Sequence, residues 1–154
     1  RREWPDRLII KVDEQVAISR WGTGQLLNQQ GEIFTPRSVM EQMQLPQLSG
    51  PSKSEQTVMR QYQQFNQLLY PLGVRIRDLS LNERGAWTMT LTNGIVVRLG
   101  SEAVLERLRR LVIFFESEYR VQLTQVNSID LRYTNGLAVA WREQVQAASG
   151  IVAL

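Results

Sequence analysis

Ser128-Ile129-Asp130-Leu131-Arg132-Tyr133-Thr134-Asn135-Gly136-Leu137-Ala138-Val139-Ala140-Trp141 is the stretch whose reading decides the fold. Before Asn135-Gly136, Ile129, Leu131 and Tyr133 alternate with Asp130 and Arg132. After it, Leu137, Val139 and Trp141 alternate with Ala138 and Ala140. A period of two sends each set to its own face of a sheet. Asn and Gly both tolerate positive φ, so the dipeptide predicts a tight two-residue hairpin turn. The second strand, Leu137 to Trp141, is free of charge and is the last patterned segment. It is expected at an open sheet edge, with unpaired N–H and C=O groups that invite a partner strand.

Working outward, short alternating segments recur. Arg7 to Val12, Val16 to Trp21, Leu26 to Asn28 and Glu32 to Phe34 read as strands, with Gln29-Gln30-Gly31 as a turn. Val74 to Leu81, Ala86 to Leu91 and Ile95 to Leu99 read as a meander turned at Asn82-Glu83-Arg84-Gly85 and Asn93-Gly94. Two longer segments have helical spacing. Val58, Tyr62, Phe65 and Leu69 form one apolar stripe, closed by Pro71 and Gly73. Leu105, Leu108, Val112 and Phe115 form the other. Capping boxes are expected at Ser52-Lys53-Ser54-Glu55 and at Ser38-Val39-Met40-Glu41, the second opening a short helix, and Ser101 is expected to cap the second long helix. Leu45 to Pro51 is expected as loop. Residues 143–154 lack periodicity and are expected as a flexible C-terminal tail.

Helices set between antiparallel hairpins give an α+β class: a largely antiparallel or mixed sheet, two amphipathic helices on one face, and a C-terminal edge hairpin.

Composition narrows the chemistry. The chain has 154 residues, is 43% hydrophobic and 21% charged, and contains neither Cys nor His. Disulfides, thiol chemistry and His-dependent nucleophilic catalysis are excluded, and no metal or other cofactor is expected. No run approaches the roughly 18 apolar residues of a membrane span. The chain opens without Met and reads as part of a longer protein. The net charge is +3, and all basic residues but Lys11 and Lys53 are arginines. They are scattered and lack the aromatic interleaving of a nucleic-acid site, so an arginine-rich coding habit is the simpler reading. Arg107, Arg109 and Arg110 read as a solvated helix face beside Glu102 and Glu106. A glycan-cleaving enzyme would need a carboxylate pair; Asp78 with Glu83 and Asp130 with Glu143 are the pairs available.

Three segments together resemble one family. Trp4-Pro5-Asp6-Arg7-Leu8-Ile9-Ile10-Lys11-Val12, with Glu14 and Ala17-Ile18-Ser19-Arg20-Trp21, resembles the end of a POTRA domain entering its neighbour. Leu99-Gly100 to Arg107-Leu108-Arg109-Arg110-Leu111 and the closing hairpin resemble the β domain of the FtsQ/DivIB cell-division family. The resemblance implies residues 1–21 as the last POTRA strand and junction, 22–142 as the β domain and 143–154 as a tail. It implies a non-catalytic periplasmic scaffold of a single-pass inner-membrane protein at the division septum. Such a scaffold binds FtsB and FtsL and, through them, the septal synthases FtsW and FtsI. Docking by strand addition at the last strand is implied, with Tyr133, Asn135, Gly136, Leu137, Ala138, Val139 and Trp141 at partner-binding positions. Arg84 is implied as the pairing partner of an acidic group on FtsB. Each also has a plain structural role: Trp141 in the core, Tyr133 in sheet packing, Arg84 in a solvated turn.

Overall fold

The computed structural model of the chain describes residues 15–36, 44–117, 123–142 and, by backbone alone, 149–153. The expected strand Arg7 to Val12, the short helix from Ser38 and the carboxylate of Glu143 lie outside these residues. Strands β1 (Ser19–Trp21), β2 (Gln25–Leu27), β3 (Ile33–Phe34) and β4 (Gln47–Ser49) come first. Helix α1 (Glu55–Leu69) follows, then β5 (Ile76–Leu81), β6 (Trp87–Leu91) and β7 (Val96–Gly100). Helix α2 (Val104–Glu116), β8 (Val126–Asp130), β9 (Gly136–Trp141) and β10 (Ser149–Ala153) complete the order.

The described strands form one sheet in the order β10-β9-β8-β7-β6-β5-β4-β1-β2-β3. Its parallel pairs are β1–β4, β4–β5 and β7–β8. Adjacent parallel strands need a long crossover, and α1 and α2 supply it for the last two. Crossovers of one hand bring both helices to the same face. Val58, Met59, Phe65 and Leu69 of α1 and Leu108, Leu111, Phe114 and Phe115 of α2 share one core with the sheet. Phe65 meets Trp87 edge to face, ring centroids 6.1 Å apart. The strand alternation holds: Trp87, Met89 and Leu91 are buried, while Thr88 and Thr90 on the other face are partly exposed. The α+β class is therefore the observed one.

Three differences from the sequence reading have physical causes. The segment expected as loop contains β4, because Leu48 is fully buried between β1 and β5; three residues are too few to show a period. The expected tail contains β10, which pairs with β9. Neither long helix uses its expected cap. The residue preceding α1 is Ser54, whose hydroxyl donates to Pro51 O at 2.5 Å instead of accepting from the helix. Helix α2 is preceded by Ala103 in the left-handed region, φ 49°.

Turn chemistry sets the antiparallel registers. In Asn28 to Glu32 and in Asn82 to Ala86 the bonding is identical. The Asn side-chain oxygen accepts N–H groups two and four residues on, at 2.9–3.0 Å. The glycine fourth in each loop, Gly31 or Gly85, takes positive φ. A three-residue loop closed by a left-handed glycine is a preferred hairpin geometry.

Candidate functional site

The terminal hairpin is present, but β9 is not an edge. Val139 pairs with Ile129 of β8 on one side and with Gly150 of β10 on the other. The expected open edge at Leu137 to Trp141 is therefore corrected. Strand β10 runs antiparallel along it, from Ser149 opposite Ala140 to Ala153 opposite Gly136. Among the described residues, the outer side of β10 is the free C-terminal edge of the sheet.

The turn is also different. Asp130 pairs with Ala138, so 131–135 form a wide loop and Asn135-Gly136 is no two-residue turn. Gly136 opens β9 and is not among the left-handed glycines. Two interactions end the ladder early. Asp130 accepts the backbone N–H of Arg132 at 3.0 Å and grips its guanidinium at 2.9 and 2.6 Å. The hydrogen bonds from Arg132 hold the Asp130 carboxyl below the usual carboxylate range. Leu131 N–H turns instead to Arg98 O of β7, at 2.8 Å. The freed carbonyls of Tyr133 and Gly136 are then satisfied from outside the hairpin: Arg110 of α2 donates to them at 2.6 and 3.0 Å.

The expected solvated arginine face is thus partly a set of braces. Arg110 holds the loop, and Arg107 donates to Leu99 O at 2.7 Å where β7 ends. At the far end of the hairpin Arg142 donates to Val126 O and Asn93 O, at 3.2 and 2.9 Å. Pattern reading had no means of finding Arg110 or Arg142, since their acceptors lie 16 to 49 residues away in sequence.

The residues expected to bind a partner divide by position. Tyr133 (44% exposed) and Asn135 stand on the surface of the loop. Arg84 is exposed in the Asn82 turn, at the same end of the sheet but across β6, β7 and β8 from β9. Leu137 and Val139 are buried in the core, and Gly136 is buried too. Ala138 and Ala140 lie on the helix-free face, partly exposed. Trp141 is half-buried against the core at the opposite end of β9, pairing with Val126. At about 3.4 Å per residue, β9 separates the two ends by roughly 17 Å. The structure brings Tyr133, Asn135 and Gly136 together, keeps Arg84 apart and sets Trp141 at the far end. Of the carboxylates considered for glycan cleavage, Asp130 is bound by Arg132 and Asp78 contacts Arg77 at 3.0 Å.

Comparison with known proteins decides the family. A profile of the C-terminal region of the cell division proteins FtsQ/DivIB matches residues 19–132. The chain belongs to the FtsQ/DivIB family. Among curated relatives, the cell division protein FtsQ of Coxiella burnetii is 41% identical over 92% of this chain and 58% of its own length. That of Shewanella oneidensis is 39% identical over 92% of this chain and 53% of its own. That of Cellvibrio japonicus is 35% identical over 96% and 46%. The chain spans about half the length of these FtsQ relatives. The FtsQ/DivIB profile begins with β1 and ends at Arg132, the residue Asp130 holds where β8 gives way to the loop. Among the described residues, no helix is long and apolar enough to cross a membrane.

Proposed function

We propose that this domain is a non-catalytic docking module of the cell-division machinery, held on the periplasmic side of the inner membrane. It binds FtsB, and through FtsB engages FtsL and the septal synthases FtsW and FtsI. Docking is by strand exchange: an extended segment of FtsB takes the place of β10 on β9.

The observation that carries this reading is the pairing of Ser149–Ala153 along β9. A strand edge that accepts five residues from its own chain accepts the same backbone hydrogen bonds from another. The occupant it holds is weakly specified. Among the described residues β10 pairs with β9 alone, and Gly150 in its interior lowers its strand preference. Family membership supports the cell-division setting. Tyr133 and Arg84 offer exposed groups of the types enriched in binding hot spots. Among the described residues Arg84 has no acidic partner, and its planar fork suits a carboxylate.

Removing residues 143–154 tests the exchange. FtsB affinity is expected to rise, because the competing strand is gone. A fall would mean that the partner adds to the outside of β10. No change in a folded variant would take this edge out of the interaction. Tyr133→Ala in the same background is expected to weaken FtsB binding by tenfold or more, the loss of an anchor costing about 2 kcal/mol. Calorimetric titration checks both, with thermal unfolding as the control.

A further inference from the structure

On the other flank of the sheet, a cleft of about 360 Å³ opens between β1, the segment before β4, α1 and β5. Arg20 of β1, Arg75 just before β5 and Arg77 within it line the opening, and no carboxylate lines it among the described residues. Among the described residues, Arg20 Nε is buried without a hydrogen-bond partner. A guanidinium nitrogen withdrawn from water and left unpaired is costly, so it marks a place where an acceptor belongs. We propose that this cleft binds the phosphate group of a phosphorylated ligand.

Charge selects the ligand class. Asp78 is paired with Arg77 at 3.0 Å, which leaves two guanidiniums at the cleft, Arg20 and Arg75, without a carboxylate among the described residues. A phosphate monoester carries close to two negative charges at neutral pH and matches that balance better than a single carboxylate. Arginine forks meet phosphate oxygens with paired hydrogen bonds. Neutral donors complete the wall: the amide of Asn66 and the phenol of Tyr62, both from α1. Burial pushes the Tyr62 phenol up and the charge of Arg75 pulls it partly back, so at neutral pH it is protonated and donates. Arg75 is held over the Tyr70 ring, 5.4 Å from its centroid, which fixes its position at the rim. Leu45, Pro46 and the tyrosine rings provide apolar wall beside the charges. The group esterified to the phosphate therefore has an apolar portion.

This site uses none of the strands of the docking reading and stands or falls separately. The test titrates this chain, at low ionic strength, with phenyl phosphate, inorganic phosphate, and phosphatidylcholine vesicles with or without phosphatidic acid. Saturable binding of phenyl phosphate, and more weakly of inorganic phosphate, is expected, weakened at least about tenfold by Arg20→Gln or Arg75→Gln, as for a lost charged hydrogen bond. Arg75 is exposed, so its variant keeps the fold if the Arg20 variant does not. Arginine-dependent binding to phosphatidic acid vesicles alone also supports the site and names a lipid headgroup as the source. Absence of saturable binding to all these probes, or binding indifferent to both substitutions, overturns the proposal.

Discussion

Asn93-Gly94 and Asn135-Gly136 are the same dipeptide, each set between two strands that alternate correctly, and they end in different structures. At the first, Gly94 N–H returns to Leu91 O at 2.9 Å, Gly94 takes φ +91°, and Asn93 caps Ile95 N–H at 3.1 Å. This is a three-residue loop, Thr92 to Gly94, rather than a two-residue turn; its own residues close it, and Arg142 adds one bond from outside to Asn93 O at 2.9 Å. At the second, Asp130 captures Arg132, β7 captures Leu131, and Arg110 of α2 collects the carbonyls of Tyr133 and Gly136. Local turn chemistry wins where the distant arginine only takes up a carbonyl that the loop leaves free. It loses where charged groups from distant elements offer hydrogen bonds of about 1.5–3 kcal/mol each. The loss has a functional consequence, because the wide loop lifts Tyr133 into solvent at the end of the edge proposed to take a partner.

The contrast can be broken by substitution. Arg110→Ala leaves two carbonyls without their donor and is expected to destabilise the protein by about 2–3 kcal/mol, with Arg110→Lys recovering part of it in urea unfolding. A loss within error would mean that the wide loop closes without α2. Gly94→Ala comes next, at about 1–2 kcal/mol, since a side chain is strained at that φ. Its Cβ would also sit 3.0 Å from Arg142 Nη2. Asp130→Asn is expected to cost about 0.5–1 kcal/mol, because Arg132 is largely exposed and the pair is screened. The folded state holds this carboxyl below its ordinary value, so the folded protein binds fewer protons than the unfolded chain. The contribution is complete above the usual carboxylate range and is lost as pH falls through the folded value. Acid titration of stability should therefore be shallower in Asp130→Asn than in the parent. Gly136→Ala should change stability least, by under about 1 kcal/mol, because Gly136 is not in the left-handed region. Equal costs at Gly94 and Gly136 would erase the distinction between the two loops.

Much of the candidate site was legible before any coordinates. The strand faces of Ile129, Leu131, Leu137 and Val139 follow from alternation, and all four are buried. The stripes of both helices follow from spacing in part: Met59, Leu111 and Phe114 are buried outside them, while Tyr62, Leu105 and Val112 are only partly buried. Of the three segments behind the family resemblance, the profile covers Leu99–Leu111 whole but only Ser19–Trp21 of the first and Ile129–Arg132 of the last. The state of β9 was not legible. Residues 143–154 show no period, and a strand of the Ser149–Ala153 kind is specified by the edge it finds rather than by its own pattern. The cleft was equally hidden, since Arg20, Arg75 and Tyr62 read as parts of two separate strands and a helix stripe until β1, β5 and α1 come together.

Sequence alone determined most of the elements: which faces are apolar, where the two long helices run, where the turns at Gly31, Gly85 and Gly94 fall, and that Cys and His chemistry is excluded. Periodicity and backbone sterics act within a few residues, so they survive without a fold. Tertiary structure decided which strand is the edge, which arginines brace carbonyls and which remain unpaired. Those outcomes depend on hydrogen-bonding groups many residues apart meeting at one place, and only the folded sheet sets that distance.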